Sequence, residues 1–149
     1  MISKWMALAL SEARIAGNRG EVPIGAVLVF EDKVLAQSGN RVEEWRDPTA
    51  HAEIVVIREG SRLLGTPRLV GADIYVTLEP CSMCATALSF ARVDRVFFGA
   101  FDPKGGGVDH GPRIFGQLTC HHRPEVFGGI SEKACSAILK EFFEEKRCV

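Results

Sequence analysis

No run of about 18 apolar residues, the length a membrane-spanning helix requires, occurs in the 149-residue chain. Its hydrophobic residues, 46% of the total, are therefore expected in a globular core. At this length a single domain over residues 1–149 buries roughly 70% of its unfolded surface. No sign of charge dominates either, since 18 Lys and Arg stand against 19 Asp and Glu for a formal net charge of −1. That balance excludes a global pull toward nucleic acid, so any RNA contact has to come from a local patch. The five cysteines, Cys81, Cys84, Cys120, Cys135 and Cys148, are odd in number and form no framework of secreted type. Reduced thiols and a cytoplasmic location are expected. Met1 to Leu10 is apolar but interrupted by Lys4 and lacks a small-residue cleavage site, so it reads as an amphipathic helix. Repeats and low-complexity segments are absent.

Ile2, Trp5, Met6, Leu8, Ala9, Ala13 and Ala16 recur at helical spacing, with Gly17 and Gly20 as the stop. Val22 to Phe30 and Val34 to Ser38 read as a hairpin turning at Glu31-Asp-Lys33, with Pro23 tolerated near the strand start. After a polar loop, Asp47 is the expected N-cap and Pro48 the first position of a helix that carries His51 and Glu53 and stops at Gly60. Ala72 to Leu78 is a near-continuous apolar strand, as in a sheet buried on both faces. A helix from Ser82 to Ala91 follows, then a strand over Arg95 to Ala100, a loop with three consecutive glycines, a short strand over Glu125 to Phe127, and a closing helix capped by Ser131. A hairpin followed by alternating helices and strands predicts an α/β fold, a mixed sheet of about five strands between two helical layers. Right-handed crossovers then place the two middle helices on one face with their N-termini at the same sheet edge.

The chemistry concentrates in Thr77-Leu-Glu-Pro-Cys-Ser-Met-Cys84. With Cys81 at a helix start, Cys84 lies one turn on and on the same face, so both sulfurs reach one ion. The positive end of the helix dipole favours thiolate, the form that binds metal. By itself the spacing serves redox dithiols, structural zinc and catalytic zinc alike. The predicted topology brings His51 beside the cysteines. Three donors of this type suit tetrahedral zinc and leave a fourth position for water, as in a catalytic rather than a closed structural site. Glu53 is two residues from His51, roughly opposite around a helix, and is therefore a proton shuttle beside the metal rather than a ligand. Together the residues complete the H-x-E and P-C-x-x-C pattern of zinc deaminases.

Beyond that pattern, Asn40, Asp47-Pro-Thr-Ala-His-Ala-Glu53, Tyr75-Val-Thr-Leu-Glu-Pro-Cys-Ser-Met-Cys84 and Gly99-Ala-Phe-Asp-Pro-Lys-Gly105 resemble the bacterial tRNA adenosine deaminases. The resemblance runs from Glu21-Val-Pro-Ile-Gly-Ala26 to Phe142-Phe143. It implies a cytidine-deaminase-like three-layer α/β/α sandwich with one Zn2+ per subunit, working as a homodimer. It also implies a wobble adenosine in a tRNA anticodon loop as substrate, with inosine as product. Asn40 matches a residue that hydrogen-bonds the flipped base, and Asp102 and Lys104 match the loop that meets the anticodon. Glu53 would carry a proton to N1 of adenine and then to the leaving ammonia. An anticodon loop presents its base already unpaired, which lowers the cost of extruding it.

Val108-Asp-His-Gly-Pro-Arg113 and Cys120-His-His122 depart from the best-known members. Adjacent histidines point apart in most backbones, so His121 and His122 are expected in a surface loop rather than at a second metal. Phe142 and Phe143, on an amphipathic helix, are expected in the core. Two rival functions share the metal centre: deamination of a free nucleobase or nucleoside such as cytosine or guanine, and a non-catalytic binding module around structural zinc.

Overall fold

The computed structural model describes residues 3–147. Ile2 of the expected first helix, and Cys148 and Val149 of the tail, lie outside the described residues. Helix α1 (Lys4–Asn18) starts at Ser3, whose side-chain oxygen accepts the N–H groups of Trp5 and Met6. Hairpin strands β1 (Gly25–Phe30) and β2 (Lys33–Gly39) meet at Glu31 and Asp32, both with positive φ, as a tight two-residue hairpin turn demands. A four-residue helix α2 (Val42–Trp45) precedes α3 (Ala52–Leu64), and β3 (Ala72–Leu78) is followed by α4 (Ser82–Phe90). Then come β4 (Arg95–Ala100), a 3-10 turn at Ile114–Gly116, β5 (Glu125–Phe127) and α5 (Glu132–Arg147).

The five strands form one sheet in the order β2-β1-β3-β4-β5. β1 is antiparallel to β2 and β3, whereas β3, β4 and β5 run parallel. Alternation along β1 sorts the two cores. Ala26 and Leu28 face a layer with Ala52 and Val56 of α3 and Ala85 and Leu88 of α4. Val27 and Val29 face Met6, Ala9 and Leu10 of α1 and Cys135 of α5. Both faces of the sheet are thus covered, which is why β1 and β3 carry near-continuous apolar runs. Leu28, Ile74 and Phe98 are fully buried, each contributing about 1.5–3 kcal/mol through apolar transfer. The expected three-layer α/β/α sandwich is the observed one.

Several local readings change. Asp47 does not cap α3. Its Oδ1 accepts the Thr49 N–H and hydroxyl at 2.8 and 2.7 Å, folding Asp47–Thr49 into a turn, and His51 occupies the N-cap position. Gly60 does not end that helix, which continues to Leu64 and stops at Gly65 in the left-handed conformation. Gly60 is there because a Cβ would strike Leu28 across the helix–sheet contact. α1 likewise passes through Gly17, and β1 begins at Gly25 rather than Val22. Ser131 has φ +55°, and its buried hydroxyl meets no partner among the described residues, so it does not cap α5 with its side chain. Phe143 is 46% exposed and stacks edge-on against the half-buried Phe142, and neither belongs to the two apolar cores.

Candidate metal centre and active site

Sheet register collects the functional ends. Gly25 pairs with Gly39, Ala26 with Val76, and Leu78 with Ala100. The ends of β2, β3 and β4 therefore lie side by side at one edge, followed by Asn40, by Cys81 and by Asp102. α3 and α4 start at that same edge, because each returns across the sheet antiparallel to the strands it joins.

His51 and Cys81 hold the same position in their helices. Each is the N-cap, with extended backbone angles, and neither side chain caps its own helix. The side chains turn toward one another instead. His51 Nδ1 is 3.6 Å from Cys81 Sγ and 3.5 Å from Cys84 Sγ, and the three donor atoms lie within 4.8 Å of each other. With zinc–nitrogen bonds near 2.0–2.1 Å and zinc–sulfur bonds near 2.3 Å, a tetrahedron separates its donors by about 3.5–3.8 Å. The donor set fits zinc in both chemistry and spacing. Among the described residues no other group of three such donors converges.

Electrostatics of the metal-free cluster point the same way. A hydrogen bond from Cys84 pulls the Cys81 thiol down to about 4, further helped by His51. Cys84 is displaced upward, by its hydrogen bond to Cys81 and then by burial, so the pair holds one thiolate before metal arrives. The Cys81 hydrogen bond in turn raises His51. Glu53, only 4% exposed, is pushed up to about 7 by burial, which its own N–H and the neighbouring His51 and Cys84 offset only in part. A carboxyl poised near neutrality beside a metal site is well matched to giving and taking protons.

Asn40 plays a part that its sequence position did not announce. It is 6% exposed, and its Oδ1 accepts the Ala52 N–H at 2.9 Å, so it caps α3 from the end of β2. Its Nδ2 meets no protein acceptor among the described residues and remains available to a ligand. Asp102 Oδ1 accepts the N–H groups of Lys104 and Gly105, shaping its own turn, while Lys104 is exposed. His122 Nε2 donates to the Val93 carbonyl, 2.6 Å away, and joins no metal group among the described residues, in keeping with a loop role.

Two buried glutamates went unremarked as hubs. Glu21 accepts the Glu43 and Glu44 N–H groups and so fastens α2 to the segment that follows α1. Glu79 gathers the loop after β4. The only signal for Glu79 was an acid stranded between an apolar strand and Pro80. A cavity of about 550 Å³ lies elsewhere, near Thr86, Phe90 and Arg92 toward the far end of α4. No metal donor set converges there, so the chemistry belongs to the N-terminal end.

Five mixed strands between helical layers, with a His-Cys-Cys donor set on two helix starts and a buried glutamate beside it, define the class of zinc-dependent deaminases. Residues 1–100 match the cytidine and deoxycytidylate deaminase zinc-binding region. The chain is 60% identical over 143 residues to a tRNA-specific adenosine deaminase of Agrobacterium fabrum, covering 96% of this chain and 94% of that one. It is 46% identical to the Bacillus subtilis tRNA-specific adenosine deaminase over 143 residues, 96% and 89% of the two chains. A structure solved in studies of A-to-I editing by tRNA:A34 deaminases superposes with TM-score 0.90 at 60% identity, over 91% of this chain and 98% of that one. A guanine deaminase from Nitrosomonas europaea shares the fold, with TM-score 0.79 at 22% identity over 95% and 85%. The chain belongs to the tRNA-specific adenosine deaminase family. It is an enzyme, a hydrolytic deaminase, and zinc is its cofactor.

Proposed function

We propose that the chain converts the wobble adenosine of a tRNA anticodon loop to inosine and ammonia, with residues 1–149 acting as one deaminase domain. The observation that carries this reading is the convergence of His51, Cys81 and Cys84 with the buried Glu53 at one sheet edge. The 60% identity to a tRNA-specific enzyme over 96% of the chain favours RNA over a free base, since a guanine deaminase of Bacillus subtilis reaches 37% over only 65% of it.

His51 Nδ1 and the two thiolates would hold the zinc. Bound zinc lowers the pKa of a water at its open position to about 7 and so supplies the nucleophile for C6 of adenine. Glu53 would take one proton of the attacking water and deliver it to N1, then take the proton of the new C6 hydroxyl and pass it to the amino group, which leaves as ammonia. In the metal-free cluster burial raises this carboxyl to about 7, which favours a group that both takes and gives protons. Asn40, tied by Oδ1 to α3, offers Nδ2 to an acceptor on the base. Asp102 and Lys104 stand on the loop after β4, where neighbouring anticodon nucleotides would pass.

A homodimer follows from the family resemblance and is supported by apolar surface: Phe90 is 76% and Leu118 96% exposed. The cytoplasm, where tRNA is processed, suits the reading. Among the described residues no helix is long and apolar enough to cross a membrane.

The test is zinc-loaded enzyme on an anticodon stem-loop with a wobble adenosine, with inosine as readout, against adenosine, cytosine and guanine alone. Inosine in the stem-loop with the free compounds untouched is expected. Deamination of a free base with the RNA unchanged overturns it.

A further inference from the structure

The carboxylate of Glu79 is 2% exposed and is met by five donors, all from one loop. Oε1 accepts the Asp102 N–H at 3.0 Å and faces His110 Nδ1 at 2.8 Å, where the ring nitrogen is the donor against an ionised acid. Oε2 accepts the N–H groups of Val108, Asp109 and His110 at 3.2, 2.9 and 3.1 Å. Glu79 lies two residues before Cys81, so this loop is fastened to the turn that brings a metal donor into place.

Close approach at two glycines completes the seat. A Cβ on Gly106 would run into the Glu79 carboxylate, and one on Gly107 would come within 2.6 Å of the Ser82 nitrogen. The Gly107 N–H also reaches the Pro80 carbonyl at 2.8 Å, and the Gly106 N–H reaches the Asp102 carbonyl at 2.8 Å. Asp102 therefore stands at one foot, and Lys104 on the crest, of a loop pinned at both feet to one side chain. An exposed turn of this composition, rich in glycine, would otherwise sample many backbone states.

We propose that Glu79 is a positioning residue for substrate recognition: its buried carboxylate locks the Asp102–His110 loop to the Cys81 turn and so sets where Asp102 and Lys104 meet the RNA. The inference rests on the proposed tRNA function for its substrate, but the tether itself does not.

The experiment compares the full-length wild type with Glu79→Gln, an isostere that cannot accept five donors at once. Zinc content, hydrogen exchange resolved to residues, and kcat and KM on the anticodon stem-loop are read together. Zinc stays at wild-type content, and the amides of Asp102, Val108, Asp109 and His110 exchange at least about tenfold faster, as expected for loss of charge-assisted bonds. KM rises about tenfold or more while kcat changes less than threefold. Should Glu79→Gln fail to fold, His110→Ala, which removes one donor and leaves Glu79 and the metal turn intact, takes its place with a two- to fivefold rise in KM and faster exchange confined to the same loop. Unchanged KM in an active, folded variant overturns the proposal, as does a change in kcat alone or exchange that rises across the whole sheet. Wild type that leaves the stem-loop unedited condemns the tRNA reading instead, a result distinct from either.

Discussion

Glu53 and Glu79 are both glutamates, both within 4% of full burial, and each lies two residues from a metal donor. They are nevertheless held in opposite states. Among the described residues the only backbone donor to Glu53 is its own N–H, and burial lifts its carboxyl to about 7. Burial acts to raise Glu79 too, but the Asp102 N–H, the His110 ring and the N–H groups of Asp109 and Val108 outweigh it and hold the acid below its ordinary 4.5. Identical side chains at similar depth are pushed in opposite directions, one toward holding its proton and the other toward staying ionised. What separates them is the number of N–H groups the backbone aims at each carboxylate.

Removing zinc tests the Glu53 side of the contrast most severely. Chelation is expected to abolish inosine formation while circular dichroism still reports a folded chain, since neither apolar core includes His51, Cys81 or Cys84. Unfolding in step with metal loss would make the site structural. Glu53→Ala comes next: turnover falls by about 10²–10⁴-fold, the range of general acid–base catalysis, with zinc content unchanged. Loss of zinc in that variant would turn Glu53 from a proton carrier into part of the metal's support.

A smaller effect separates binding from scaffolding at Asn40. Asn40→Asp keeps the oxygen that caps Ala52 and removes the free amide donor, so kcat/KM falls about 10–100-fold, one hydrogen bond in a desolvated site, with little change in Tm. Asn40→Ala loses the cap as well and costs about 1 kcal/mol of stability. Equal Tm losses in both variants would leave Asn40 a scaffold residue only.

The sharpest test of the contrast is the pH dependence of folding in the metal-free chain. Glu53, raised from 4.5 to about 7, binds more protons folded than unfolded between those values, so its contribution to stability shrinks as pH rises through that window. Glu79 is depressed, so its contribution is present above its unfolded value of 4.5 and is lost as pH falls below it. Urea titrations should show Glu53→Gln removing part of a decline above pH 4.5, and Glu79→Gln removing part of an acid-side decline. Matching slopes in the two variants would erase the distinction drawn here.

Much of the metal floor was legible from spacing alone. Cys81 and Cys84 are one helical turn apart, and His51 precedes Glu53 by two residues, separations that a helix converts directly into shared or opposed faces. The sandwich was legible for a similar reason, since a strand buried on both faces has to be apolar throughout. Helix ends were less so. Asp47-Pro48 looks like a helix start, yet Asp47 spends its carboxylate on Thr49 while Asn40, twelve residues before Ala52, supplies the cap from another strand. Gly60 looks like a stop and is a point of close packing on Leu28.

The sequence by itself determined the fold class and singled out His51, Cys81, Cys84 and Glu53 as one cluster, because periodicity and short-range spacing are local and survive without knowledge of what packs where. Tertiary structure decided the charge states and tethers: Glu53 becomes a poised acid only when two layers enclose it. Glu79 becomes an anchor only when a loop some 30 residues away aims its N–H groups at it. Burial and hydrogen bonding across such separations depend on the closed fold, and no local pattern of residues encodes them.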